Sequence, residues 1–156
     1  MSRSLLLALI VEFSFSNALA ETPDTVFLEE LTWIEVREAI DSGTTTIIVP
    51  TAGTEQNGPH LVLGKHKYRM NAGSERIARA LGNALVAPVM TYVPEGEIDS
   101  PTGHMRYAGT ISIPSDVFKA VLEYSALSLR HMDSQTSCSL VIADRTNREC
   151  GKSRKC

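Results

Sequence analysis

Cysteine is scarce in this sequence and is missing from most of its length. The chain has 156 residues and three cysteines, which are Cys138, Cys150 and Cys156. An odd number confined to one end does not form the distributed framework of a disulfide-stabilised domain, so that class is excluded. No Cys-x-x-Cys pair occurs, which removes the usual ligand spacing of a structural zinc ribbon.

Excess positive charge and long apolar segments are also lacking. The net charge is −3, and no basic patch occurs before the C-terminal end, so a nucleic-acid partner is not expected. The apolar block Leu5–Val11 is shorter than the roughly 20 residues that a membrane-spanning helix needs, and no other segment is long enough. No glycine-rich phosphate loop and no serine in a nucleophile elbow is present.

The N-terminal segment has the pattern of a secretory signal peptide. Arg3 supplies a basic start, Leu5–Val11 forms a short apolar core, and Ala18-Leu19-Ala20 is a small-x-small ending. We therefore expect residues 1–20 to be a signal peptide cleaved after Ala20, and a secreted or periplasmic protein. The alternative is a buried N-terminal helix, which the polar residues directly after Ala20 disfavour.

Apolar periodicity after this segment alternates between the helical and the extended type. Thr32 and Glu35 have the spacing of a capping box at the start of a helix that Gly43 ends. The other predicted elements are a strand at Thr44–Val49, a helix at Asn71–Leu81, a strand at Ala84–Val89, a short strand at Thr110–Ile113 and a long helix capped by Ser115. This order predicts an α/β fold of three layers, with a mainly parallel sheet flanked by helices.

Chemically versatile side chains follow the first predicted strand. Glu55, Asn57, His60 and His66 supply a carboxylate, an amide and two imidazoles within one short segment. Open α/β sheets bind ligands beyond the carboxyl ends of their strands, so this segment is the candidate site for a metal or a polar substrate. A glycine- and proline-rich loop at Val93–Gly109 adds further polar residues.

Each candidate also has a structural interpretation. Glu55 could be a ligand or a solvated acid, and His60 a ligand or a hydrogen-bonded structural histidine. His66 could bind a metal or belong to a solvated basic turn with its lysine neighbours. His104, in the loop, could contact substrate or hold the loop by a hydrogen bond. We interpret the acids of that loop, among them Glu95 and Glu97, as solvated.

Two ordered motifs resemble the creatininase family. The segment Thr54–His66 is similar to the family's Glu-x-His-Gly-x-His-Leu-Pro-x-x-x-Asp motif, and Gly103–Ser112 is similar to its His-x-x-Phe-Pro-Gly-Thr-Ile-Ser segment. The resemblance extends over Phe27–His131. It implies an α/β amidohydrolase of small, non-peptide and cyclic amides, with two divalent metals, zinc or manganese, and assembly as a homo-hexamer.

The resemblance also assigns roles, position by position. Glu55 matches the first acidic metal ligand, and His60 and His104 match residues that shape the catalytic site. Asn57 stands where the family has a histidine ligand, and His66 stands where it has a bridging aspartate. A neutral amide oxygen is a poor ligand for zinc, and one imidazole nitrogen binds only one metal.

Several outcomes follow from these two differences. Glu55, His60 and His66 could hold a single metal, the same residues could form a metal-free binding site, or the site could be inactive. The alternative to a hydrolase is a non-catalytic small-molecule-binding domain or a defunct fragment of the family.

The pattern changes after His131. Residues 132–156 have no amphipathic period, and the simplest interpretation is a polar, partly basic tail. Stepping back one base after His131 instead gives the reading His-Gly-Phe-Thr-Asp-Ile-Val-Leu-Ile-Gly-Asp-Ser-Gly-x-Asn-Gln, which is similar to the family's next strand and turn. We therefore predict a one-base deletion near codon 131, which makes residues 21–131 the N-terminal part of the domain and 132–156 an out-of-frame tail. The chain as written should then lack its next strand, fold poorly and have little activity.

Overall fold

The computed structural model describes residues 23–131 with their side chains and residues 139–143 by their backbone. The predicted signal peptide, residues 1–20, lies outside the described residues, as does the tail apart from that one strand. The described elements are the helices α1 (Trp33–Asp41), α2 (Lys65–Leu81) and α3 (Ser115–Arg130) and the strands β1 (Thr46–Pro50), β2 (Ala84–Val86) and β3 (Ser139–Ala143). Short 3₁₀ turns lie at Leu28–Glu30 and Gly103–Arg106.

Helix α1 begins with the capping box that the sequence predicts. The Glu35 N–H donates to Thr32 Oγ1 at 3.3 Å, and the Thr32 N–H donates to Glu35 Oε2 at 2.6 Å. These two bonds satisfy backbone donors that a helix start otherwise leaves without partners. The helix ends at Asp41 with Ser42 as its C-cap, and the next residue, Gly43, has a φ of +106°, which a side chain would disfavour. The predicted helix is confirmed.

The three strands form one parallel sheet in the order β2-β1-β3. β1 lies in the centre because its β-branched side chains are buried on both faces. Ile48 packs with Ala78 of α2 on one face, whereas Ile47 and Val49 pack towards α3 on the other. Side chains alternate between faces along a strand, so one short strand holds both helical layers. The predicted three-layer α/β architecture is confirmed.

The structure corrects several predicted boundaries and one element. β1 is Thr46–Pro50 rather than Thr44–Val49, and the strand predicted at Ala84–Val89 ends at Val86. α2 begins at Lys65 rather than Asn71, because Gly64 serves as its N-cap and the basic residues after it continue the helix. Thr110–Ile113 is not a strand: Ile111 and Ser112 form only isolated bridges, with Thr54 and Val93. At α3 the N-cap position is Pro114, and Ser115 is the first helical residue.

β3 corrects a further expectation. The chain as written was expected to lack the strand that follows α3, yet Ser139–Ala143 pairs with β1 in parallel, with Leu140 opposite Ile47. The physical reason is that this short apolar run with β-branched residues can pair with the free edge of β1, whatever its reading frame. The frameshift itself stays a prediction.

The described helices contain no segment with both the length and the apolar character needed to cross a membrane.

Candidate active site

The candidate site begins where β1 ends. After Pro50 the chain continues through buried Thr51, Ala52 and Gly53, and the Ala52 N–H donates to the Met90 carbonyl at 2.8 Å. This bond holds the segment beside the chain that leaves β2, so the next residues extend beyond the carboxyl edge of the sheet. Glu55 is thereby carried into the interior, where its side chain is 0% exposed.

Glu55 and His66 form a buried pair. His66 Nε2 lies 2.9 Å from Glu55 Oε1, and the His66 side chain is only 4% exposed. His66 reaches this position because α2 starts at Lys65, which places the imidazole on the first turn of the helix. The interpretation of His66 as part of a solvated turn is therefore wrong.

Asn57 presents its amide nitrogen to the same carboxylate. Its Nδ2 lies 2.9 Å from the Glu55 carbonyl oxygen and 3.3 Å from Glu55 Oε1. A carbonyl oxygen only accepts hydrogen bonds, so the amide atom beside it is the NH2 group. That group also faces Oε1, and Asn57 therefore acts on Glu55 as a donor.

Glu95 is the site residue that the sequence reasoning missed. Both the Glu95 and the Glu55 carboxylate lie so close to Gly53 that a Cβ added there would be less than 3.0 Å from an oxygen of each. The two acids thus converge on one glycine, and Glu95 is half-buried rather than solvated. Glu97 is exposed, as expected.

The backbone around Glu95 is held on both sides. The Glu95 N–H donates to Ser112 Oγ at 3.0 Å, and the His104 N–H donates to the Glu95 carbonyl at 3.1 Å. The Ser112 hydroxyl donates in turn to the Gly96 carbonyl at 2.8 Å. No local sequence signal identifies Glu95, because its position depends on contacts with residues far along the chain.

His104 ties this loop to the Glu55 segment. Its Nδ1 lies 3.1 Å from the Gln56 carbonyl oxygen, which requires a hydrogen on Nδ1. The Gln56 amide nitrogen, 3.4 Å away, is also a donor, so the carbonyl contact is the hydrogen bond of the two. The loop-holding interpretation of His104 thus matches the geometry, and its predicted role in shaping the catalytic site stays a prediction.

His60 is exposed, and its ring lies beside Gly58. Of the predicted site residues, the structure brings together Glu55, Asn57 and His66, and links His104 to them through Gln56. A catalytic role for His60 stays a prediction.

The described donor atoms do not suit a metal centre. Within residues 23–131, no group of three His, Cys, Asp or Glu side chains is arranged to hold a metal ion. Glu55 and His66 are adjacent, but Asn57 turns its nitrogen towards them, and Glu95 does not complete a three-ligand set. The residues in the described part of the chain therefore do not fit the pair of metals that the resemblance implies.

The sequence matches the family model for creatininase, creatinine amidohydrolase, over residues 29–139. The chain belongs to the creatininase family. Among its relatives, the creatinine amidohydrolase of Pseudomonas putida is 26% identical over 128 residues, which are 77% of this chain and 48% of that protein. The relatives of this chain within the family are thus hydrolases.

Solved creatininases share the fold. One solved variant of a creatininase is 25% identical to this chain, with a TM-score of 0.64; the match covers 76% of this chain and 44% of the creatininase chain. A second creatininase variant, described as a Zn–Zn type, is 25% identical to this chain, with a TM-score of 0.65; the match covers 77% of this chain and 45% of the creatininase chain. This chain thus spans about half the length of the creatininases that it matches, and divalent metal is present in the family.

Proposed function

We propose that this protein is a creatininase-family hydrolase that cleaves the C–N bond of a small, non-peptide, cyclic amide. The observation that carries the proposal is the buried Glu55–His66 pair, which lies within the family's first motif at the carboxyl end of β1. Family membership supports the reaction class, and the position beyond the carboxyl end of β1 supports a ligand site.

The pair is suited to move one proton. Amide hydrolysis needs a base for the attacking water and a proton for the leaving nitrogen. Glu55 and His66, with Oε1 and Nε2 2.9 Å apart, are a carboxylate and an imidazole that can each take up or release a proton, and the buried position strengthens the electrostatic effect of each. Glu95, at Gly53, adds a second carboxylate next to the first.

Binding of zinc or manganese by Glu55 and His66 stays a prediction. It is supported by the Zn–Zn type relative and opposed by the donor set of the described residues. The loss of activity expected for the chain as written also stays a prediction.

Turnover of a panel of cyclic amides that includes creatinine tests the proposal. We expect Glu55→Gln to lower the rate by roughly 10²–10⁴-fold, because it removes a carboxylate that can take up a proton from the attacking water. Glu97→Gln, at an exposed acid of the adjacent loop, is the matched control and should leave the rate unchanged. Equal rates for the wild type and Glu55→Gln, with both variants folded by circular dichroism, would contradict the assignment.

A second candidate is a non-catalytic domain that binds a small molecule. The amide of Asn57, at a position where the resemblance has a ligand, favours it. Isothermal titration calorimetry with the same amides separates the two, since binding without any turnover supports this candidate and excludes the first.

Export and assembly complete the proposal. A secreted or periplasmic protein should have a mature N-terminus at Glu21, which mass spectrometry of the exported chain would show. Homo-oligomers, hexamers by resemblance, would be measured by light scattering after size exclusion. Trp33 on α1 is 79% exposed and is a candidate contact residue.

A further inference from the structure

Asn57 and His66, the two side chains that face Glu55 Oε1, both differ from the residues that the family motif has at their positions. The resemblance places metal ligands at the positions of Asn57 and His66, and both side chains here face the Glu55 carboxylate with nitrogen. Asn57 Nδ2 and His66 Nε2 converge on one atom, Oε1, at 3.3 and 2.9 Å. The same oxygen thus faces two nitrogen groups, one from the loop after β1 and one from the first turn of α2.

The orientation of Asn57 is determined by a second contact. Because Nδ2 also lies 2.9 Å from the Glu55 main-chain carbonyl, rotating the amide by 180° would place two carbonyl oxygens against each other. Asn57 therefore does not present its oxygen to the position beside Oε1 without losing that hydrogen bond.

Charge leads to the same conclusion. A bridging aspartate adds a negative charge and two oxygens that can span two cations, whereas His66 adds a single nitrogen with no negative charge. In this chain the His66 nitrogen faces the buried Glu55 carboxylate at 2.9 Å, at the position where the resemblance has a second carboxylate. Glu95 approaches from Gly53, yet the three side chains are not arranged to hold an ion together within the described residues.

We propose that His66 and Asn57 replace metal at this site, so that the Glu55 centre of this chain retains no zinc or manganese. This proposal is connected to the proposed function only because both concern the Glu55 site. It makes the hydrolase a metal-independent member of a family that contains Zn–Zn type enzymes.

Metal analysis of the full-length chain tests this directly. Protein incubated with excess zinc or manganese and then desalted should retain far less than one equivalent by plasma mass spectrometry. The double variant Asn57→His with His66→Asp should retain at least one equivalent, and adding Glu55→Gln to it should remove that metal. The matched control, Asn83→His with His131→Asp, changes the same residue types elsewhere and should behave as the wild type.

One or more ions per wild-type chain, lost in Glu55→Gln, would overturn the proposal even if the double variant failed to fold. Thermal melting with and without zinc gives a second readout, in which the wild-type midpoint should not rise. Neither measurement uses turnover, so a chain without hydrolysis and without metal would count against the proposed function and leave this inference supported. Hydrolysis that EDTA abolishes would support the proposed function and overturn this inference.

Discussion

At the residue scale, the site depends on how a buried carboxylate is accommodated. An ionised side chain that is 0% exposed is costly unless charges or hydrogen-bond donors surround it. His66 and Asn57 supply these at Oε1, and Gly53 supplies the space in which Glu55 and Glu95 approach each other. The identity of each neighbour is therefore constrained by Glu55.

Gly53→Ala should destabilise the protein by about 1–3 kcal/mol, because the added methyl group overlaps two carboxylates and buried Glu55 has little room to move. Urea unfolding followed by circular dichroism measures the change. Gly73→Ala is the matched control: it lies within α2 with nothing within 4 Å of the new Cβ. It should stabilise by about 0.5–1 kcal/mol, since alanine is the better helix former. A neutral Gly53→Ala would show that the two acids do not occupy that space.

At the scale of single elements, α1 shows how a local motif determines a boundary. The hydrogen bond from the Thr32 N–H to the Glu35 carboxylate holds the pKa of the Glu35 carboxyl below its ordinary value, and the Thr32 hydroxyl makes a second, smaller contribution in the same direction. A carboxyl whose pKa is lower in the folded state stabilises the fold above its unfolded pKa, and this contribution disappears as the pH falls through the folded value.

We therefore expect the stability difference between the wild type and Glu35→Gln to be present at neutral pH and to vanish as the pH falls below 4.5. Glutamine keeps a capping oxygen but cannot titrate, so the comparison isolates the charge. Thermal melting at a series of pH values measures it. Glu38→Gln on the same helix is the control, and an identical pH profile for Glu35→Gln and the wild type would argue against the capping charge.

At the scale of the whole molecule, the two helical layers are held to the sheet unequally. α2 contributes fully buried Ala78 and Ser74, whereas α3 contributes no fully buried residue and contacts the core through half-buried Leu122 and Leu129. α3 also carries large exposed side chains, which are Val117, Val121, Tyr124 and Leu127.

Leu129→Ala should lower the free energy of unfolding by about 1–3 kcal/mol, because Leu129 packs against the buried cluster formed by Ile47, Val49 and Ala87. Leu127→Ala, two residues earlier on the same helix and 50% exposed, should change it by less than about 0.5 kcal/mol. Denaturant titrations of both variants give the comparison. Equal losses would mean that α3 packs differently in solution.

Sequence reasoning predicted most where the information is local. The capping box at Thr32, the β-branched strand β1 and the apolar stripe of α3 are encoded within a few residues of each other. The start of α2 was missed because Lys65 and His66 resemble a solvated turn until tertiary contacts bury the imidazole. β3 was not expected because a short apolar run becomes a strand only when a partner edge such as β1 is available.

The sequence by itself determined the fold class, the family and the position of Glu55, because hydrophobic periodicity, capping and motif spacing are properties of neighbouring residues. Only the tertiary structure decided what surrounds that carboxylate. Glu95 comes from a loop far along the chain. His66 belongs to a helix that the sequence predicted to begin only at Asn71. Asn57 acquires its role through the orientation of its side-chain amide. Such convergence depends on packing between distant segments, and no local pattern records it.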